Sequence, residues 1–175
     1  MNNKMQVRLS GIAYESLVNG PGVRRVLFAQ GCTHNCKNCF NPDTHSFHGG
    51  ELMDFDKIIK DIVENPILKG VTFSGGDPWE QADKFAYIAE QLKKDIMKPD
   101  FNVWCYTGYT YEYILKNKDK RNGWKELLNS IDVLVDGRFE DDKKEQGLRF
   151  RGSSNQRIID VKESLKTNEI VILKY

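Results

Sequence analysis

The chain has 175 residues, the size of one folded domain with one hydrophobic core, so we expect a single domain over residues 1–175. The 26 Lys and Arg side chains balance 25 Asp and Glu side chains, and the net charge of +1 predicts neither nucleic acid nor an anionic membrane as a partner. No apolar run approaches the roughly 20 residues that span a bilayer, and the first residues lack the apolar core of a secretory signal, which predicts a cytoplasmic protein.

The order of apolar runs along the chain predicts alternating strands and helices. Short apolar runs indicate strands, and the longer amphipathic runs between them indicate helices that connect parallel strands. The predicted strands are Val23–Ala29, Gly70–Phe73, Asn102–Tyr106, Ile131–Val135, Arg157–Val161 and Ile170–Leu173. Because this is too few for a closed eight-stranded barrel, we expect an α/β fold with an open, partial parallel β/α barrel of about six strands, or a doubly wound sheet.

Apolar stripes with helical spacing lie between these strands. Asp54 is a predicted N-cap, and the apolar residues after it share one helical face until the next proline ends the helix. A second stripe runs from Phe85 to Ile96. A third helical region runs from Tyr109 to Asn129, and we expect it to be interrupted near Asn122-Gly123.

Residues of unusual chemistry follow the ends of four predicted strands. They are Cys32, Cys36 and Cys39 after the first, Gly75-Gly76-Asp77-Pro78 after the second, Thr107-Gly108-Tyr109 after the third and Asp136-Gly137-Arg138 after the fourth. The carboxyl ends of parallel strands open onto one face, where ligands bind, so we expect the four loops to surround one site. The glycine pair would let the backbone approach a ligand closely, and its alternative role is a tight turn into the next helix.

The cysteines indicate a metal centre. Cysteines of a cytosolic protein are more often ligands or buried thiols than disulfides. Thiolates on one loop can bind one centre, and a cubane iron–sulfur cluster needs four ligands, so three cysteines leave one iron open for another ligand. The alternative is a zinc site completed by His34, His45 or His48, although His34 is predicted to face solvent. Cys105 lies in a predicted strand and is expected to be a buried apolar thiol.

The spacing of the three cysteines resembles the CxxxCxxC signature of the radical S-adenosylmethionine (SAM) enzymes. Other stretches, in the same order along the chain, resemble more narrowly the family of activating enzymes of the anaerobic ribonucleoside-triphosphate reductase. These stretches are Val18-Asn19-Gly20-Pro21-Gly22, Gly31-Cys32, Ser74-Gly75-Gly76-Asp77-Pro78, Trp104–Tyr109, Val133–Phe139 and Arg151–Arg157. The resemblance covers most of the chain.

The resemblance implies a single radical SAM domain with a [4Fe-4S] cluster held by Cys32, Cys36 and Cys39, and with SAM chelating the open iron. Reductive cleavage of SAM would give a 5′-deoxyadenosyl radical that abstracts hydrogen from a glycine of the partner, the glycyl-radical subunit of the reductase. The electron donor of this family is typically a flavodoxin-like protein. The resemblance also implies contacts to SAM from Asn38, Cys39, Phe40, Gly75, Gly76 and Asp77. Because cofactors carry this chemistry, we expect no catalytic acid or base.

Two other functions stay open at this point. One is another radical SAM enzyme that acts on a small molecule, and the other is a zinc-stabilised binding module without catalysis. The charged stretch Phe139–Gly147 is predicted to form a mobile surface loop. From their positions alone, this loop, the segment Arg151–Arg157 and the lateral gap of an incomplete barrel are the candidates for contact with the reductase.

Overall fold

One sheet organises the fold in the computed structural model, which describes residues 6–175. The fold is mixed α/β, and the sheet has 8 strands in the spatial order β3-β1-β2-β4-β5-β6-β7-β8. The strands are β1 (Gln6–Ser16), β2 (Arg24–Ala29), β3 (Glu51–Asp54), β4 (Gly70–Gly75), β5 (Asn102–Tyr106), β6 (Val133–Asp136), β7 (Arg157–Asp160) and β8 (Val171–Ile172). The helices are α1 (Phe55–Val63), α2 (Ala82–Asp95), α3 (Tyr111–Asn117), α4 (Trp124–Ser130) and α5 (Val161–Thr167).

The middle of the sheet is parallel. β2 pairs with β4, β4 with β5 and β5 with β6, all in parallel. Each connection crosses back through at least one helix, which is how parallel neighbours are joined, so the carboxyl ends of the four strands lie along one edge. The predicted common edge for the four loops is therefore confirmed.

None of the helices in residues 6–175 is long and apolar enough to cross a membrane.

The prediction of about six parallel strands is wrong at both flanks of the sheet, where further strands are present and the pairing is antiparallel. β1 and β3 were not predicted, and they add an antiparallel flank beside β2. On the other side β7 and β8 were predicted as parallel strands but run antiparallel to their neighbours. No crossover helix separates β6 from β7, so the chain returns in the opposite direction, with Asp136 paired to Arg157. This return brings the residues before β7 to the edge where β6 ends.

One face of the sheet, which we call the helix face, is covered by all five helices. Successive side chains of a strand point to opposite faces of the sheet. Those that point to the helix face include Leu27, Phe73, Cys105 and Leu134. Buried apolar side chains from every helix join the same cluster, including the predicted stripe of α1. The prediction that Cys105 is a buried apolar thiol is confirmed, because its exposed fraction is 0% and it belongs to this cluster.

The opposite face, which we call the inner face, is more polar. Its apolar cluster is small and contains Trp104, together with residues of β6 and β7. The buried guanidinium of Arg24 donates to Thr72 Oγ1 (2.8 Å) and to the carbonyls of Val71 (2.9 Å) and Asn102 (3.0 Å). Burial lowers the pKa of Arg24 to about 10, which still leaves it charged at neutral pH. A buried cation is tolerated here because its donors are hydrogen-bonded.

Helix boundaries follow local sequence. The predicted interruption of the third helical region is confirmed, because α3 and α4 are separated and Gly123 before α4 has φ of 76°. Asp54 occupies the N-cap of α1 as predicted, but its carboxylate accepts from Gln6 Nε2 (2.8 Å) instead of a helix amide. The helix α5 was not predicted, although Asp160 accepts from the backbone N–H of Glu163 (2.9 Å), an N-cap pattern that is visible in the sequence.

Candidate metal and cofactor site

A cavity of about 610 Å³ lies at the carboxyl ends of the parallel strands. Residues from all four loops that were predicted to surround one site line it, together with residues that precede β7. From these loops and the strand ends that precede them, the lining residues are Cys32, His34, Cys36, Cys39, Phe40, Ser74, Gly75, Gly76, Tyr106, Thr107, Gly108, Gly137 and Phe139. The cavity also reaches Asn19 and Phe28, so it extends along the inner face of the sheet.

The three cysteines of the loop after β2 all line this cavity as free, partly buried thiols. Backbone hydrogen bonds fix the loop at its start, where Cys32 N–H donates to the carbonyl of His45 (3.2 Å), and near its end, where Cys39 N–H donates to that of Cys36 (3.2 Å). Burial raises the pKa of Cys32 to about 11 and also raises the pKa of Cys36. These thiols are therefore protonated at neutral pH until a metal displaces the protons.

The donor set fits an iron–sulfur cluster better than a single ion. Within residues 6–175, no three His, Cys, Asp or Glu side chains converge closely enough to bind one metal ion. A structural zinc site requires four ligands around one point. In a cubane cluster each thiolate binds a different iron, so its ligands can stand further apart, and thiolates are the preferred ligands of such clusters.

The glycine pair after β4 is required by close packing of the backbone. Gly75 has φ of 97°, and a Cβ there would lie 2.6 Å from Ala29 N. A Cβ at Gly76 would lie 2.4 Å from the carbonyl oxygen of Gly31, directly before the cysteine loop. The pair thus allows the end of β4 to pack against the chain that enters the cysteine loop, and both glycines line the cavity. Their contact with SAM stays a prediction.

Asp77 is not brought to the cavity. Its carboxylate is fully buried, with Oδ2 2.6 Å from His34 Nε2 and accepting from Thr107 Oγ1 (2.9 Å) and Gly108 N–H (3.0 Å). Its Oδ1 accepts from the backbone N–H of Trp79 (3.0 Å). The prediction that His34 faces solvent is wrong, because only 8% of the residue is exposed. Its partner lies 43 positions away, so no local pattern reveals the pair.

Phe40 and Asn38 differ in their relation to the cavity. Phe40 lines it, and its ring centroid lies 4.6 Å from that of Phe139. Asn38 is exposed, has φ of 54° and donates to Asp141 Oδ2 (2.6 Å), outside the cavity lining. The stretch Phe139–Gly147 lies largely at the surface as predicted, but it contacts the cysteine loop through these two pairs.

The segment before β7 is a part of the cavity wall that sequence reasoning missed. Arg151, Gly152 and Gln156 line the cavity. Gln156 closes a compact turn, because its Oε1 accepts from Gly152 N–H (2.8 Å) and its Nε2 donates to the carbonyl of Gly137 (2.9 Å). Arg151 Nη1 donates to the backbone carbonyl of Gln156 (2.7 Å). The antiparallel direction of β7 places this turn at the site. The signal in the sequence that could have indicated this direction is the lack of a predicted helix between β6 and β7.

Comparison with known proteins connects this geometry to a family. Residues 18–159 match the family model of the 4Fe-4S single cluster domain. The sequence is also 40% identical over 145 residues to the anaerobic ribonucleoside-triphosphate reductase-activating protein of Vibrio cholerae, which covers 80% of this chain and 89% of that protein. The chain belongs to the family of anaerobic ribonucleoside-triphosphate reductase-activating proteins.

Other activating proteins of the family align over the same share of the chain. That of Haemophilus influenzae is 36% identical over 146 residues, covering 80% of this chain and 89% of its own length. That of Escherichia coli is 34% identical over 147 residues, with 80% and 90% covered. The resemblance stated from the sequence motifs is confirmed, and the match to a 4Fe-4S domain supports an iron–sulfur cofactor.

Proposed function

We propose that this chain is a radical SAM activase that generates the glycyl radical of an anaerobic ribonucleoside-triphosphate reductase. The observation that carries the proposal is that three cysteines with the CxxxCxxC spacing line one strand-end cavity in a member of the activating-protein family. The same family membership weighs against a zinc-stabilised module, because the matched family model describes an iron–sulfur domain.

In the proposed enzyme Cys32, Cys36 and Cys39 would hold a [4Fe-4S] cluster, and SAM would bind at the iron that lacks a cysteine. When bound, the cluster and SAM would supply the chemistry: one electron from an external donor, passed through the cluster, would cleave SAM to methionine and a 5′-deoxyadenosyl radical, which would take a hydrogen atom from a glycine of the reductase. The chain itself binds, orients and shields the reactants. The partial burial of the three cysteines supports this shielding role.

The arrangement of the sheet supports a partial radical SAM barrel over a doubly wound sheet. The parallel strands follow one another in chain order, and all five helices pack on the helix face. A doubly wound sheet reverses its strand order and carries helices on both faces. Because the helices pack on the helix face alone, the inner face is free to form the cavity. The flavodoxin-like donor, the reductase-contacting segments and the cytoplasmic location stay predictions from the sequence.

Anaerobic reconstitution with iron and sulfide tests the ligand assignment. We expect the wild-type protein to gain the broad absorption of a cubane cluster near about 400 nm and, once reduced, to cleave SAM. Cys36→Ala should abolish the cleavage while leaving the fold intact, because Cys36 lines the cavity and packs little core. Cys105→Ala is the matched control on the helix face and should retain the cleavage.

Two results would contradict the proposal. SAM cleavage by the Cys36→Ala variant at the wild-type rate would refute the assignment of Cys36 as a ligand. Uptake of zinc by the wild-type protein, with no iron–sulfur absorption after reconstitution, would refute the cluster itself.

A further inference from the structure

The buried pair formed by His34 and Asp77 has no part in the function proposed above. His34 lies between Cys32 and Cys36 in the sequence, and Asp77 lies beyond the end of β4. Their side chains are 4% and 0% exposed, and His34 Nε2 lies 2.6 Å from Asp77 Oδ2. The pair thus links the cysteine loop to a neighbouring strand-end loop, away from solvent.

Asp77 joins three loops at once. Besides His34, its Oδ2 accepts from Thr107 Oγ1 (2.9 Å) and Gly108 N–H (3.0 Å), which follow β5. Its Oδ1 accepts from the backbone N–H of Trp79 (3.0 Å), which follows β4. A fully buried carboxylate is stable only when such donors surround it, so each donor is held in a defined place.

The ring of His34 also fits a defined slot. It packs against Tyr109 with the ring centroids 4.4 Å apart and the planes at 71°. A Cβ added at Gly108 would lie 2.4 Å from His34 Cδ2, so only a glycine at that position leaves room for the imidazole. The contacts come from the loop after β5, the same loop that donates to Asp77.

The cysteine loop needs such an anchor. Asn35 and Asn38 have left-handed φ values of 50° and 54°, a conformation that is uncommon outside glycine, although asparagine tolerates it better than most residues. An unanchored loop would have to be ordered when the metal binds, and that ordering costs conformational entropy. Partners that orient the ligands of a metal site reduce this cost, and they are commonly hydrogen-bonded groups behind the ligands.

We propose that His34 and Asp77 are positioning residues that hold the cysteine loop against the loop after β5, so that the thiols face the cavity before the cluster binds. This inference rests on the cluster assigned under the proposed function. Asp77 then acts through His34 and the backbone, and it needs no contact with SAM.

Two substitutions of His34 and one matched control test the inference. His34→Phe keeps an aromatic ring but removes the donor to Asp77, whereas His34→Gln keeps an N–H donor. His48→Phe makes the same change at an exposed histidine outside the cavity lining. After reconstitution we expect His34→Phe to lose its cluster to a chelator about tenfold faster than the wild type, in line with other partners of metal ligands. His34→Gln should recover part of the loss, and His48→Phe should match the wild type.

Hydrogen exchange of the cluster-free protein provides a readout that does not depend on the cluster. In His34→Phe we expect faster exchange over residues 32–39, with exchange in α2 unchanged. Asp77→Asn should act in the same direction, because one amide cannot accept from donors on both sides of the carboxylate.

The outcomes are distinguishable. Wild-type exchange over residues 32–39 in both His34→Phe and Asp77→Asn would overturn the positioning role. Faster exchange in α2 to the same extent would also overturn it, because the pair would then serve only general stability. Failure of the wild-type protein to take up a cluster would instead overturn the proposed function, while the exchange measurement would still decide whether the pair orders the loop.

Discussion

The two faces of the sheet differ in what they bury. The helix face carries a continuous apolar cluster to which all five helices contribute, whereas the inner face carries a small apolar cluster, the buried Arg24 and the cavity. Burial of apolar surface is the dominant favourable contribution to folding, so most of the stability of this protein derives from the helix face. The inner face can then carry polar groups and open space, which a binding site requires and a core does not tolerate.

Replacing one phenylalanine on the helix face and one at the cavity should show most strongly how differently the two faces contribute to stability. Phe85 is 0% exposed on the helix face, with its ring centroid 4.8 Å from that of Phe73, and Phe85→Ala should cost about 3–5 kcal/mol of unfolding free energy. Phe40 at the cavity is 59% exposed, and Phe40→Ala should change stability by only about 0.5 kcal/mol. Denaturant unfolding of the cluster-free protein measures both. Equal losses would show that the cavity side contributes as much as the helix face.

A smaller effect is expected where the cavity wall meets the neighbouring backbone. Because a Cβ at Gly76 would lie 2.4 Å from the carbonyl oxygen of Gly31, Gly76→Ala forces the two loops apart and should cost about 1–3 kcal/mol. Gly11 in β1 has nothing within 4 Å of its added Cβ, so Gly11→Ala should be neutral or slightly stabilising. Thermal unfolding of both variants checks this, and an unaffected Gly76→Ala would mean that the loops have room to separate.

The smallest effect is expected outside the cavity lining, in the ion pair of Arg157 and Glu112. Arg157 donates to both carboxylate oxygens of Glu112 (3.0 and 2.7 Å) and lowers the pKa of Glu112 below its ordinary value of 4.5. A carboxylate with a lowered pKa stabilises the folded state above its ordinary value and loses that contribution as the pH falls through the folded value. The contribution is small because the side chain of Glu112 is 58% exposed to solvent, which screens the pair.

Stability measured against pH isolates this pair. Between about pH 5 and pH 3 the unfolding free energy of the wild type should fall more steeply than that of Glu112→Gln. Glu145→Gln, at an exposed glutamate of the surface loop, should follow the wild type. Identical slopes for the wild type and Glu112→Gln would show that the pair makes no contribution in solution.

The sequence predicts the parallel middle of this fold well and its flanks poorly. Each middle strand is an apolar run, and the carboxyl-end rule brings the cysteines, Gly75 and Gly76 to one cavity. In β1 the alternation of buried Val7 and Leu9 is a usable signal for a strand. β3 offers none, because none of its 4 residues is buried and, within residues 6–175, it pairs only with distant β1.

The candidate site shows the same division. Ligand spacing is local and can be recognised directly, as with the three cysteines. The hydrogen bond of His34 to Asp77 and the turn closed by Gln156 depend on strands far apart in the sequence, and on the antiparallel direction of β7. Such contacts become visible only when the fold is known.

The proposed enzyme uses the cavity on its inner face to generate a glycyl radical in a partner protein. The most direct measurement is electron paramagnetic resonance of the reconstituted, reduced protein mixed with SAM and the anaerobic reductase. We predict a glycyl-radical doublet that appears only when the reductase is present and that is absent with Cys36→Ala. No doublet with a fully loaded cluster, or radical turnover of a small molecule without the reductase, would contradict the claim.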